Sequence, residues 1–211
     1  MDYQTTFQRR ELKYLLTRRQ RCRLLWAMEA YMCPDEYGRS SIRNLYYDTP
    51  SFRLARTSLE KPVYKEKLRV RSYGSPAADG PVFVELKKKY KSVVYKRRVA
   101  LPQQEALDWL GGVGSPEPSQ IVREINYFQG YYGDLEPQIF LSYTREAFYS
   151  RLDDGFRLTL DENIRFRTDD LRLDGSPSGT PLLPEEMVLL ELKTPGGLPL
   201  WMMICYPHKR Q

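Results

Sequence analysis

Apolar and polar positions alternate through most of this chain with a period of two, and only short stretches switch to the helical period. Phe7–Leu15 alternates and predicts a strand. Thr17 then opens a helix, with Gln20 three residues on to close a capping box. That helix is expected to run through TRRQRCRLLWAMEAYM, with Leu24, Leu25, Met28 and Tyr31/Met32 as its apolar stripe. Ser41–Asp48 predicts a strand that stops at Thr49-Pro50. Ser51 is expected to cap a short helix through Ser58. Val63–Tyr73 is a strand, GSPAADGP a turn-rich loop, and Val82–Tyr90 with Ser92–Leu101 a hairpin. Helices follow over Gln103–Leu110 and Ser119–Tyr131, separated by GGVGSPEP. Strands Gln138–Tyr149 and Gly155–Arg167 are joined at Asp153-Asp154-Gly155. After the loop DGSPSGTPLLP, Met187–Lys193 is the last strand, ended by Pro195-Gly196-Gly197. Eight strands and a few helices, with no repeat and no dividing linker, predict an α+β chain that is mainly antiparallel β, as a barrel or a strongly curved sheet.

The alternation assigns faces. Lys65, Lys67, Arg69 and Arg71 form one stripe, backed by Leu68 and Val70. Lys96 and Arg98 share a face. Arg157, Thr159 and Asp161 share another, opposite Phe156, Leu158 and Leu160. Glu11-Leu12-Lys13, Glu85-Leu86-Lys87 and Glu191-Leu192-Lys193 each set a carboxylate and an ammonium on one face with the leucine on the other. A barrel can turn such cationic faces inward only if its interior is wet and binds anions.

Charge counts sharpen this. Residues 1–105 hold 23 basic and 11 acidic residues, +12, while residues 106–211 hold 10 and 16, −6. Between Lys61 and Arg98, 12 basic residues meet only Glu66, Asp79 and Glu85. A polyanion partner is one reading of that block, and a solvated charged surface is the other. Three cysteines, Cys22, Cys33 and Cys205, make no disulfide framework and no zinc motif, and reduced, buried thiols in a cytosolic protein are expected. His208 is the single histidine, which removes most histidine-based catalysis. No secretory leader, membrane-length apolar run or P-loop is present in these residues. The ELK triplets suit a chamber in which Lys and Arg grip phosphates while a carboxylate holds Mg²⁺ or Mn²⁺. Ordinary surface ion pairs would produce the same triplets.

Eight segments in order carry a resemblance: RRELKYLL (9–16), IRNLYYDTP (42–50), EKLRVRSYG (66–74), VFVELKKK (82–89), SVVYKRRV (92–99), LSYTREAF (141–148), FRLTLDENI (156–164) and LLELKTPGGLPLW (189–201). Together they resemble the VTC domain, the polyphosphate polymerase branch of the triphosphate tunnel (CYTH-like) superfamily. The resemblance implies an antiparallel β-barrel forming a tunnel, with flanking helices, as a single domain over 1–211. It implies transfer of the ATP γ-phosphate onto inorganic polyphosphate with Mn²⁺ or Mg²⁺. By position, it implies phosphate contacts and catalytic roles for Lys13, Arg69, Arg71, Lys87, Lys96, Arg145 and Arg157. Tyr143 and Lys193 join the substrate-binding set, Glu191 is the implied metal carboxylate, and Glu11 and Glu85 are weaker metal candidates. Glu11, Glu85, Lys193 and Asp161 could equally be internal ion pairs that keep a cationic lining folded. Lys88, Lys89, Lys91 and Arg97 are expected on the exterior, and Tyr46 and Tyr47 in packing.

Hydrolytic relatives carry two glutamates at i and i+2 before the lysine, and here the first of those positions is Arg9. That favours the polymerase over a tripolyphosphatase or nucleoside triphosphatase. The family's C-terminal Ser-Lys element is not found in the final CYPHKRQ, which keeps a non-catalytic triphosphate or polyphosphate binder open. Nucleic acid is not expected as a partner, since no RNP, helix-turn-helix or zinc-finger pattern is present. Relatives associate with membrane proteins, so a cytoplasmic domain recruited to a membrane by a partner is the implied location.

Overall fold

The computed structural model describes residues 10–91, 93–153 and 155–205. Among these, two compact units emerge: residues up to 40, 143–164 and from 181 on form the first, and residues 41–142 and 165–180 the second.

The first unit opens with β1 (Arg10–Thr17) and α1 (Arg18–Met28). The expected capping box is present: Gln20 N–H donates to the Thr17 hydroxyl at 3.3 Å, and Thr17 N–H to the Gln20 side-chain oxygen Oε1 at 2.8 Å. The helix stops four residues short of expectation, because Met32 starts the next strand. Met32 is buried with Leu24 and Met28, so a helical i+4 spacing continues into a residue that packs from a strand. The expected start of the first strand at Phe7 lies outside the described residues. Burial of the thiols is a correction: Cys22 is exposed, off the Leu24–Met28 stripe of α1, and Cys33 is half-buried. β1 pairs antiparallel with β9 (Met187–Thr194), and β9 with β7 (Arg157–Arg167). One face of this ladder carries Leu16, Leu158, Leu160, Val188, Leu190 and Leu192, packed with Leu24 and Met28 of α1 and with Phe156. The short helix α5 (Leu200–Cys205) was not expected from the residues alone. Trp201 on it stacks on Tyr31, centroids 5.3 Å apart.

The second unit holds the helices α2 (Arg53–Leu59), α3 (Gln103–Leu110) and α4 (Gln120–Tyr132) and the order β2-β3-β4-β5. β3 is Tyr64–Tyr73, β4 Pro81–Tyr90 and β5 Val93–Pro102, all antiparallel neighbours. The β4–β5 hairpin and α3 match the residues expected, and Ser119 caps α4 by accepting from Val122 N–H at 3.2 Å. The cap of α2 is a correction. Its N-cap is Phe52, in a left-handed conformation, and Ser51 does not cap it. Asp48 does the work instead: Oδ1 accepts from Thr49 and Leu54 N–H, and Oδ2 from Ala55 N–H, each at 2.8 Å. Leu68, Val70, Val84 and Leu86 turn one face of this sheet onto Ala106, Trp109, Ile125 and Phe128.

β2 (Met32–Asp48), β6 (Glu136–Ser150) and β7 contribute to both units, and β6 lies between β7 and β2 in the pairing order. β2 is twice the expected length. Pro34 and Gly38, at φ +55°, mask its first half, since neither is a strand former. The two-residue β8 (Thr180–Pro181), paired with β7, also carried no alternation to read.

Candidate functional site

In the second unit, register fixes which side chains share the face opposite the helices. Tyr46 faces Arg69 across β2–β3, Arg69 faces Glu85 across β3–β4, and Glu85 faces Arg98 across β4–β5. Glu85 is 2% exposed, and both its oxygens are occupied. Arg69 donates to Oε2 from Nε at 2.8 Å and Nη2 at 2.6 Å. Lys96 Nζ lies 2.7 Å from Oε1, and Arg98 Nε donates to the same oxygen at 2.7 Å. Burial would raise the Glu85 carboxyl, but Arg69, Lys96 and Arg71 outweigh it and hold the group at about 2. Arg71 is buried, with Nε donating to Asn44 at 2.9 Å, and Arg69 Nη1 donates to the Tyr46 hydroxyl at 2.9 Å.

Four cations, Arg69, Arg71, Lys96 and Arg98, therefore surround one carboxylate. The Lys96 ammonium registers the excess. Burial, Arg98 and Arg71 together lower it from its ordinary value in spite of the ion pair with Glu85. A group that gains a close carboxylate would normally go the other way. Beyond this cluster the same face continues as lysine rungs: Lys87 opposite Lys96, Lys67 opposite Lys87, and Lys65 opposite Lys89. Like charges directly across a ladder repel.

Two expectations change here. Tyr46 lies on the cationic face, its ring centroid 5.7 Å from the Arg69 guanidinium, while Tyr47 is core as expected. Lys89 shares the face of Lys87 and is not on the far side with Lys88 and Arg97. Those two pair with Glu124 on the helix side, at 3.8 and 3.0 Å. Arg98, Asn44 and Tyr46 were not singled out as site residues, although strand alternation and the Tyr46–Arg69 register place all three.

The first unit builds a different face. Lys13 stands opposite Glu191 across β1–β9, and Thr159 stands opposite Glu191 across β7–β9. Lys13 Nζ lies 3.3 Å from Glu11 and 3.4 Å from Glu191, so the two carboxylates converge on one point. Lys193 Nζ is 2.8 Å from the other Glu191 oxygen. Burial would raise Glu191, but Lys193, Lys13 and Arg145 bring it to about 2. Burial would lower Lys13, but Glu191 and Glu11 raise it overall. Arg145 forms a two-pronged pair with Asp161, Nε–Oδ1 2.6 Å and Nη2–Oδ2 2.7 Å, and lies over the Tyr143 ring at 5.1 Å. Arg157 is exposed, with no carboxylate in ion-pair range among the described residues. The Thr159 hydroxyl is buried and unpartnered among them.

A divalent cation can be tested against this face. No cluster of three or more His, Cys, Asp or Glu residues capable of holding one occurs among the described residues. Mg²⁺ and similar hard ions are commonly held by one or two carboxylates plus substrate phosphates. Glu191 and Glu11, both aimed at the Lys13 ammonium, with the unpartnered Thr159 hydroxyl nearby, fit that mode of binding. No helix among the described residues is long and apolar enough to cross a membrane.

Known proteins can now be set beside this geometry. No curated protein matches the chain. Among solved structures, a candidate adenylate cyclase from Bacillus halodurans is 19% identical with a TM-score of 0.55, covering 87% of this chain and 78% of that one. A candidate adenylyl cyclase from Hippeastrum with a dominant triphosphatase activity is also 19% identical, with the same coverages and a TM-score of 0.47. A candidate adenylate cyclase from Vibrio parahaemolyticus is 13% identical, covering 90% and 77%, with a TM-score of 0.47. At these identities the first of these likenesses speaks for the fold alone. The pattern of the VTC domain matches residues 8–205. The chain belongs to the VTC domain family and has the antiparallel, mainly β architecture of the triphosphate tunnel (CYTH-like) proteins.

Proposed function

We propose that this protein is a polyphosphate polymerase, transferring the γ-phosphate of ATP onto a growing inorganic polyphosphate chain with Mn²⁺ or Mg²⁺. The observation that carries the reading is the run of lysine rungs beyond the Glu85 cluster. In this reading a triphosphate is held by the four cations at Glu85. Lys65↔Lys89 and Lys67↔Lys87 extend the same face by four residues from Arg69, about 13 Å of strand. Those rungs set like charges across the ladder, an arrangement that further phosphates lying along it would favour.

In this reading Arg69, Arg71, Lys87 and Lys96 grip phosphate oxygens, with Arg98 beside them. Glu85 holds Arg69, Lys96 and Arg98 apart and aimed, so the cations are in place before ligand arrives. That assigns Glu85 an anchoring role in preference to a metal-binding one. Lys13, Arg157, Lys193 and Arg145 with Tyr143 serve phosphates from the first unit's face. Glu191, with Glu11, would hold the divalent cation, which when bound supplies neutralisation of charge on the transferring phosphoryl group. The acceptor is a terminal phosphate that is already anionic, so positioning and charge neutralisation carry the step and no general base is required.

The experiment is incubation with ATP and Mn²⁺ or Mg²⁺, with polyphosphate stained on a gel and free phosphate measured in parallel. Polymer is the expected product. Free phosphate alone would identify a hydrolase, and tight tripolyphosphate binding without either product a binding module.

A further inference from the structure

At one end of the second unit, away from the Glu85 cluster, apolar and aromatic side chains stand exposed together. Leu59 at the end of α2 is 80% exposed and Val63 is 61% exposed. Tyr64 opens β3 and pairs across the ladder with Tyr90, both half-exposed. Lys91 N–H donates to the Val63 carbonyl at 2.7 Å, which ties Val63 to the β4 end. On α4, Tyr127 is 73% and Tyr131 59% exposed, and their rings stack with centroids 6.4 Å apart. The helix end is joined to the strand end through Glu66, which accepts from Tyr132 at 2.9 Å and also from Tyr64.

Lysines ring this patch. Lys91 Nζ lies 5.4 Å from the Tyr90 ring centroid, Lys61 precedes Val63 by two residues, and Lys65 and Lys89 face each other one step along the ladder. Of the neighbouring acids, Glu66 is buried, Glu124 is held by Arg97 and Lys88, and Glu60 is the exposed one. Exposed aliphatics at a tip, tyrosines with an apolar body and a polar hydroxyl, and lysines on flexible stems are the side chains suited to an anionic bilayer interface. Single-stranded nucleic acid would use the tyrosines but has no use for Leu59 and Val63.

We propose that this end of the second unit docks on anionic membrane surfaces, with Leu59, Val63 and Tyr90 entering the interface and Lys61 and Lys91, which lie outside the lysine rungs, meeting lipid headgroups. The proposal is independent of the polymerase reading.

The test is sedimentation of the 211-residue chain with phosphatidylcholine vesicles made with and without phosphatidylserine. Binding is expected only with phosphatidylserine, and it should weaken as salt rises. Leu59→Ser with Val63→Ser should weaken it about tenfold. Lys61→Gln with Lys91→Gln should weaken it about fivefold per lysine. These are surface changes, and circular dichroism checks that each variant is folded. In the Val63→Trp variant, tryptophan emission should shift to the blue on anionic vesicles. Equal binding to neutral vesicles, binding unaffected by both double variants, or displacement by saturating tripolyphosphate would overturn the proposal. So would tighter binding to single-stranded DNA, or a dimer in light scattering that the Leu59/Val63 variant abolishes.

Discussion

The two faces that carry the charged residues are built on the same plan and reach different charge balances. In the first unit, Lys13, Lys193, Arg145 and Arg157 stand among three carboxylates, Glu11, Glu191 and Asp161. In the second, Arg69, Arg71, Lys96 and Arg98 share one carboxylate, Glu85. A lysine on each face reports the difference. Lys13 is raised and Lys96 is lowered. Among the described residues, the first face sets three carboxylates among four cations, and the second gathers four cations on one carboxylate. An ELK triplet thus serves two purposes: Glu191 shares its cations with Glu11 and Asp161, and Glu85 is a hub that spaces several cations alone.

The largest expected effect breaks the hub. Glu85→Gln should lower stability by about 3–5 kcal/mol, because it leaves several half-buried cations without a counter-ion. Tripolyphosphate should restore more melting temperature to this variant than to the parent, as read by thermal denaturation. An equal gain in both would separate Glu85 from the anion site. Next, Arg69→Ala should weaken tripolyphosphate binding by about 1.5–3 kcal/mol, read by calorimetry, through loss of a charge-assisted contact. The matching change on the other face, Glu191→Gln, should leave tripolyphosphate binding within about a factor of three while weakening Mn²⁺ binding in the presence of tripolyphosphate by ~10-fold or more, read by electron paramagnetic resonance.

Acid should act on both faces. Glu85 and Glu191 sit at about 2 when folded, below their ordinary 4.5. A depressed folded value means their stabilisation is full above the unfolded value and is lost as pH falls from about 4.5 toward 2. Urea unfolding at pH 6, 4 and 3 should show a progressive loss, smaller in Glu85→Gln. The smallest effect is expected from Tyr46→Phe, which removes one hydrogen bond to Arg69 and should cost about 1 kcal/mol of tripolyphosphate affinity.

Much of this comparison is legible in the residues. Period-two alternation places Lys67, Arg69, Arg71, Lys96 and Arg98, because strand side chains leave little freedom in which face they take. The Thr17–Gln20 cap and the β4–β5 hairpin are local and readable for the same reason. What alternation does not give is register. That Glu85 falls opposite both Arg69 and Arg98, and that lysines face lysines along β3–β4–β5, depends on pairings between strands. Tyr46 is expected in packing with Tyr47, and only its register opposite Arg69 reveals that it lies on the charged face. The first half of β2 was lost to Pro34 and Gly38, and the α2 cap to Asp48, which reaches forward six and seven residues where a capping rule looks only two or three.

The most direct test is nuclear magnetic resonance titration of the two lysine ammonium groups, Lys13 and Lys96, with and without tripolyphosphate. Lys96 should titrate below the ordinary lysine value of 10.5 and rise when tripolyphosphate binds, with Lys13 above that value from the start. A Lys96 value at or above that of Lys13, unmoved by tripolyphosphate, would contradict an anion-deficient face in the second unit.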